Sequence, residues 1–86
     1  MNSVRIVWDE PKRQANIEKH GFDFADLTEA FFAASVAVPA KAGRFVAIGE
    51  LGETVVAVVA AGLGTEAMAV ISMRRADRKE RRLLHG

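Results

Sequence analysis

Between Glu10 and His20, polar side chains that can handle a phosphate or a proton recur at every fourth position: Lys12, Asn16 and His20, with Lys19 beside the last. On a helix, a spacing of four puts them on one face. A second set stands at the other end of the chain. From Arg74 to Gly86 there are six cations (Arg74, Arg75, Arg78, Lys79, Arg81, Arg82) against two anions, Asp77 and Glu80, in a chain whose net charge is +1. The preceding residues are therefore net acidic, and local rather than total charge attracts a polyanion. Arg44 is a third candidate cation, at the start of an extended stretch. Cleaving a phosphodiester without a metal needs a base for the 2′-hydroxyl, cations for the charge at phosphorus and an acid for the leaving oxygen. Histidine carries protons near neutral pH, and arginine clamps phosphate with two hydrogen bonds. His20, Arg44 and Arg74 suit those roles if the fold brings them together. Structural roles compete for the same residues. A cation in the last turn of a helix suits its dipole, Glu80 suits a helix cap, and a basic run suits a solvated terminal helix.

Composition removes several other chemistries. There is no cysteine, which excludes disulfides and thiolate catalysis. Two histidines far apart, without a nearby acidic ligand pattern, argue against a structural zinc, and no metal or other cofactor is expected. Tyrosine is absent, so no phenol serves as an acid or stacks on a base. Gly62-Leu63-Gly64 lacks the rest of a nucleotide-binding fingerprint and reads as a turn. Trp8 reads as core, and His85, one residue from the end, as frayed. The first residues lack the apolar stretch of a signal peptide, and the longest aliphatic run, Val55 to Ala61, is too short for a bilayer. A cytoplasmic location without a membrane partner is expected. With 86 residues, half of them hydrophobic, the chain reads as one small domain over residues 1–86.

The elements that must position these residues are written in the same pattern. Val4, Ile6 and Trp8 alternate as a strand. Asp9 offers a cap for a helix from Glu10 to His20, with Pro11 tolerated in its first turn and Gly21 as its left-handed stop in a Schellman-type ending. Asp23 caps a second helix whose Phe24, Leu27 and Phe31 share a face. Residues 33–43 are small, apolar and indeterminate, and Pro39 bars a central strand there. Arg44–Glu50, Thr54–Ala61 and Glu66–Arg74 read as strands, the middle one apolar on both faces and therefore central. Asp77 and Glu80 make a capping box for a terminal helix. The expected fold is α+β: a mostly antiparallel four-stranded sheet with two N-terminal helices and a short C-terminal helix.

The succession of motifs is more specific than any one of them. Trp8-Asp9, Lys12, Asn16, Lys19-His20-Gly21 and Phe24 are followed by Arg44 with Ala47-Ile48-Gly49. Ile71-Ser72-Met73-Arg74-Arg75-Ala76 and Glu80 complete the series. From about Ile6 to Arg82 this resembles the BrnT family of toxins. The resemblance implies a RelE-like fold and a ribonuclease that halts translation. It also implies a BrnA-like antitoxin whose ribbon-helix-helix part binds the operator, so that DNA is contacted only indirectly. It points to Lys19, His20, Arg44, Arg74 and Arg75 as functional candidates. Of these, Lys19, His20, Arg44 and Arg74 read as catalytic, while Lys12, Arg75 and Arg78 read as positioning the RNA backbone. The chain departs from the family pattern in four places. Met73 stands where alanine is usual, Ala69 where an arginine commonly stands, and Gly43 where an acidic residue precedes Arg44. The stretch from Ala33 to Gly43 is short and apolar where relatives are often polar and acidic. Two other readings remain beside an active endoribonuclease: a catalytically weak relative that acts as antitoxin-binding co-repressor, and a small RNA-binding module.

Overall fold

A computed structural model describes residues 4–86. The first strand, β1 (Arg5–Trp8), leads into helix α1 (Glu10–His20), then a 3-10 turn (Phe24–Asp26) and helix α2 (Glu29–Ala34). Four strands follow, β2 (Val36–Pro39), β3 (Arg44–Leu51), β4 (Thr54–Leu63) and β5 (Ala67–Arg75), and helix α3 (Arg78–His85) closes the chain. The sheet has five strands in the order β1-β5-β4-β3-β2. β2, β3, β4 and β5 pair antiparallel, whereas β1 lies parallel to β5. The expectation of four mostly antiparallel strands is corrected to five strands in a mixed sheet. Short turns advertise the hairpins, but the β1–β5 pairing joins residues some 60 positions apart, with no local signal. The fifth strand, β2, forms in the indeterminate stretch as an edge strand. Pro39 is tolerated as its last residue, opposite Phe45.

Helix α1 spans the predicted residues and ends as predicted at Gly21, whose φ of 77° is left-handed. The Gly21 N–H donates to the Ile17 carbonyl, the single-bond αL ending rather than the Schellman pair. Asp9 occupies the cap position but makes no side-chain cap bond. The second predicted helix is corrected to two pieces. Asp23 caps only the 3-10 turn, accepting from the Ala25 N–H, while Thr28 starts α2 by accepting from the Phe31 N–H. Two caps five residues apart divide the segment, yet Phe24, Leu27 and Phe31 still converge in the core.

Phe24, Leu27 and Phe31 pack on one face of the sheet against Ala47, Val56, Val58, Val70 and Met73. Each large side chain buried there contributes roughly 1.5–3 kcal/mol. Gly49 is required beneath Phe31, because a Cβ at that position would come within 2.8 Å of the ring. On the opposite face Ile48, Ala57 and Ala76 form a smaller cluster, joined by Leu84 of α3. Helix α3 starts on the predicted capping box, with Asp77 accepting from the Glu80 N–H and Glu80 from the Asp77 N–H. β5 carries one extra residue: Ser72 pairs with Val59 but Val70 with Ala60, so Ile71 is a bulge.

Candidate nucleic-acid interface

Helix α1 runs beside β5 where β1 stops, since β1 pairs only as far as Trp8 opposite Val70. Beyond that point β5 has an edge to satisfy, and Asn16 satisfies it. Its Oδ1 accepts from the Met73 N–H at 3.0 Å, and its Nδ2 donates to the Phe22 carbonyl at 2.9 Å. Asn16 is 5 % exposed. The predicted polar stripe is therefore interrupted: Lys12 and His20 stay in solvent, while Asn16 between them ties the helix to the sheet.

Around Asn16 lies a hollow of about 260 Å³, lined by Lys12, Ala15, Lys19 and His20 from α1 and by Ile71 and Ser72 from β5. This is where the structure gathers candidate residues: two ammonium groups, an imidazole and a hydroxyl. Ser72 was not anticipated. Its signal was available in the Ile71-Ser72 pair, but only the bulge at Ile71 turns the hydroxyl toward α1 and away from the core face.

The arginines lie farther along the sheet. Arg74 is opposite Ala57 and Arg44 is opposite Ala61, which puts both on the face that α3 partly covers. Four residues of β4 separate their levels, about 13 Å at the usual strand rise. Arg74 is engaged: Nη1 and Nη2 donate to the two Glu80 oxygens at 2.7 and 2.9 Å. The fork raises the Arg74 pKa and lowers that of Glu80, in each case chiefly through this hydrogen bond. Arg75, opposite Val56, points to the other face, and Arg78 is exposed in the first turn of α3. Neither meets the hollow. Trp8 is half-buried, packs edge-on to Phe24 at 6.3 Å and donates its indole N–H to Glu10, the placement of a core residue. Arg13 makes a second bidentate fork, to Asp23, and also holds Glu10. Its partners' carboxyls are lowered, Asp23 mainly by Arg13 and Glu10 mainly by Gln14, and this network staples α1 to the following turn. Among the described residues no three His, Asp or Glu side chains converge as a metal site, and no helix is long and apolar enough to cross a membrane.

Residues 8–80 match the family model of the ribonuclease toxin BrnT of type II toxin–antitoxin systems. The chain belongs to the BrnT family. It is similar to the 1.1 Å crystal structure of the Brucella abortus ribonuclease toxin BrnT, at 52 % identity and a TM-score of 0.83. That match covers 88 % of this chain and all of the other. No match was found among the curated proteins. For a BrnT-family chain, the departures from the usual pattern now have places. Ala69 lies opposite Ala61 and Val7, in the middle of the partly covered face, where alanine rather than arginine makes the floor apolar. Gly43, at φ 72°, occupies the turn before β3, and Met73 is fully buried on the core face.

Proposed function

We propose that this chain is a metal-independent endoribonuclease toxin that halts translation and is neutralised by a BrnA-like ribbon-helix-helix antitoxin. The observation that carries the reading is the hollow where Lys12, Lys19, His20 and Ser72 meet on the rim of the partly covered sheet face, in a chain of this family. Lys12 and Lys19 would hold the scissile phosphate and the Ser72 hydroxyl would orient one of its oxygens. His20 or Lys19 would take the 2′-hydroxyl proton and the other would supply one to the leaving oxygen. Arg44 would grip the RNA backbone farther along the sheet. Arg74 would act through the N–H groups that Glu80 leaves free, as a charge fixed in place before the substrate arrives. Arg78, exposed in the first turn of α3, would extend the track, whereas Arg75 would contact RNA only around the strand end.

The fork between Arg74 and Glu80 favours a second reading. A neutralised arginine is a weaker transition-state ligand, and Ala69 supplies none, so a catalytically weak antitoxin partner that acts as co-repressor follows from the same geometry. Incubating the purified protein with structured RNA in EDTA separates the two. Cleavage that falls by about 10² or more in His20→Ala supports the toxin reading. Intact RNA, with tight binding of the antitoxin preserved, supports the co-repressor.

A further inference from the structure

The face that α3 covers is covered only at one end. Strand register lays it out in rows. Arg74, Ala57, Ile48 and Val36 form the first row, and Ser72, Val59, Val46 and Val38 the second. Val7, Ala69, Ala61 and Arg44 form the third, and Arg5, Ala67 and Leu63 the fourth. Exposure rises along the series. Ala57 and Ile48 are buried under α3, Val46, Val59, Ala61 and Val7 are half-buried, and Leu63 is 52 % exposed. The open part spans three strand spacings by about four residues of strand, roughly 14 by 13 Å. An α-helix of about ten residues has that length, and its width fits beside α3.

The chemistry of the floor selects the occupant. It is aliphatic and holds no aromatic ring, so it offers nucleobases nothing to stack on. Its far margin carries Arg5 and Arg44, on opposite sides. Neither makes a side-chain hydrogen bond or ion pair among the described residues. Helix α3 shows what this face accepts, since it seats Leu84 on the same aliphatic surface beside Val46 and Val38.

We infer that the open half of this face is the docking surface for an amphipathic helix of the antitoxin, laid beside α3, with its apolar stripe on Val7, Val59, Ala61 and Leu63 and its carboxylates on Arg5 and Arg44. The inference rests on the reading of the chain as a toxin with a protein partner. Occupation of the floor covers Arg44 and stands against the hollow at Ser72, so the helix and RNA exclude one another.

The test uses the full chain with its antitoxin, and a 2′-O-methyl RNA as the competing ligand. Leu63→Glu and Arg5→Glu change surface positions outside the proposed catalytic set. Each should weaken antitoxin binding by tenfold or more in calorimetry, while cleavage of RNA by the free protein stays at the wild-type rate. Methyl NMR resonances of Val7, Val46, Val59 and Leu63 should move when the antitoxin binds. Wild-type affinity in both variants overturns the inference, as do shifts confined to an apolar hollow on the opposite side of the sheet, lined by Ile6, Phe32 and Met68. Shifts of the floor methyls with RNA but not with the antitoxin also overturn it. Absence of RNA cleavage by the wild-type protein, with floor shifts on antitoxin binding intact, leaves the docking surface standing and removes only the catalytic reading.

Discussion

Asn16 shows how a side chain chosen for its chemistry can belong to the scaffold instead. At every-fourth spacing with Lys12 and His20 it looks like a member of a phosphate-binding stripe, and only the end of β1 explains why it turns inward. Asn16→Ala would leave the Met73 N–H and the Phe22 carbonyl buried without partners. The expected loss is about 2–3 kcal/mol, read from urea denaturation, and a loss under half a kcal/mol would mean that water replaces the amide. Lys12, Lys19 and His20 were legible as a cluster because they sit on one local helix, where spacing fixes direction. Ser72 was not, because its direction depends on a bulge. Arg74 was legible as a cation but not as a paired one: its partner lies six residues on, across a strand-to-helix junction that no periodicity spans.

Among the elements, α1, its left-handed stop, the central strand and the capping box of α3 were all readable, since each is encoded within a few residues. Gly21→Val tests the first. With φ at 77° and nothing within 4 Å of a Cβ, the cost should be backbone strain alone, roughly 1–2 kcal/mol, and an unchanged melting temperature would refute it. The split of the second helix was not readable, because Asp23 and Thr28 are both competent caps and sequence does not rank them. Helix α3 depends on Glu80, which closes the capping box and holds Arg74 at once. Its carboxyl is lowered in the folded state, so its contribution is complete above the ordinary glutamate range and fades as pH falls through the lowered folded value. Glu80→Gln should therefore cost about 1 kcal/mol at neutral pH, with the difference from wild type closing on acidification. A constant difference between pH 7 and pH 3 would show that the charge is irrelevant.

For the whole molecule, the parallel pairing of β1 with β5 was the least visible feature, since it joins the two ends of the chain through the core rather than through a turn. The same pairing leaves the α1 cations and Arg44 on the borders of one face, and RNA lying across that face should displace counterions. With Lys12, Lys19, Arg44 and Arg78 each meeting a phosphate, log affinity for single-stranded RNA should fall with log salt at a slope of about −3. Lys12→Ala should reduce that slope by about 0.7, and a slope near zero would place the RNA elsewhere. The bulge at Ile71 has a consequence of another kind. Strand positions carry parity, odd to one side and even to the other, and an inserted residue reverses it for everything downstream. Val70 and Met73 both face the core although three positions separate them, while Ser72 and Arg74 share the opposite side. Pairing Ile71 regularly instead of bulging it would exchange the two sets, sending the Arg74 guanidinium toward Phe24 and the Met73 thioether into water. Deleting it, by contrast, joins Val70 to Ser72 in regular alternation and leaves every direction as it is. Ile71 is thus a punctuation mark between two halves of one strand: its deletion should leave Met73 in the core and Arg74 outside, and should be tolerated better than Met73→Arg.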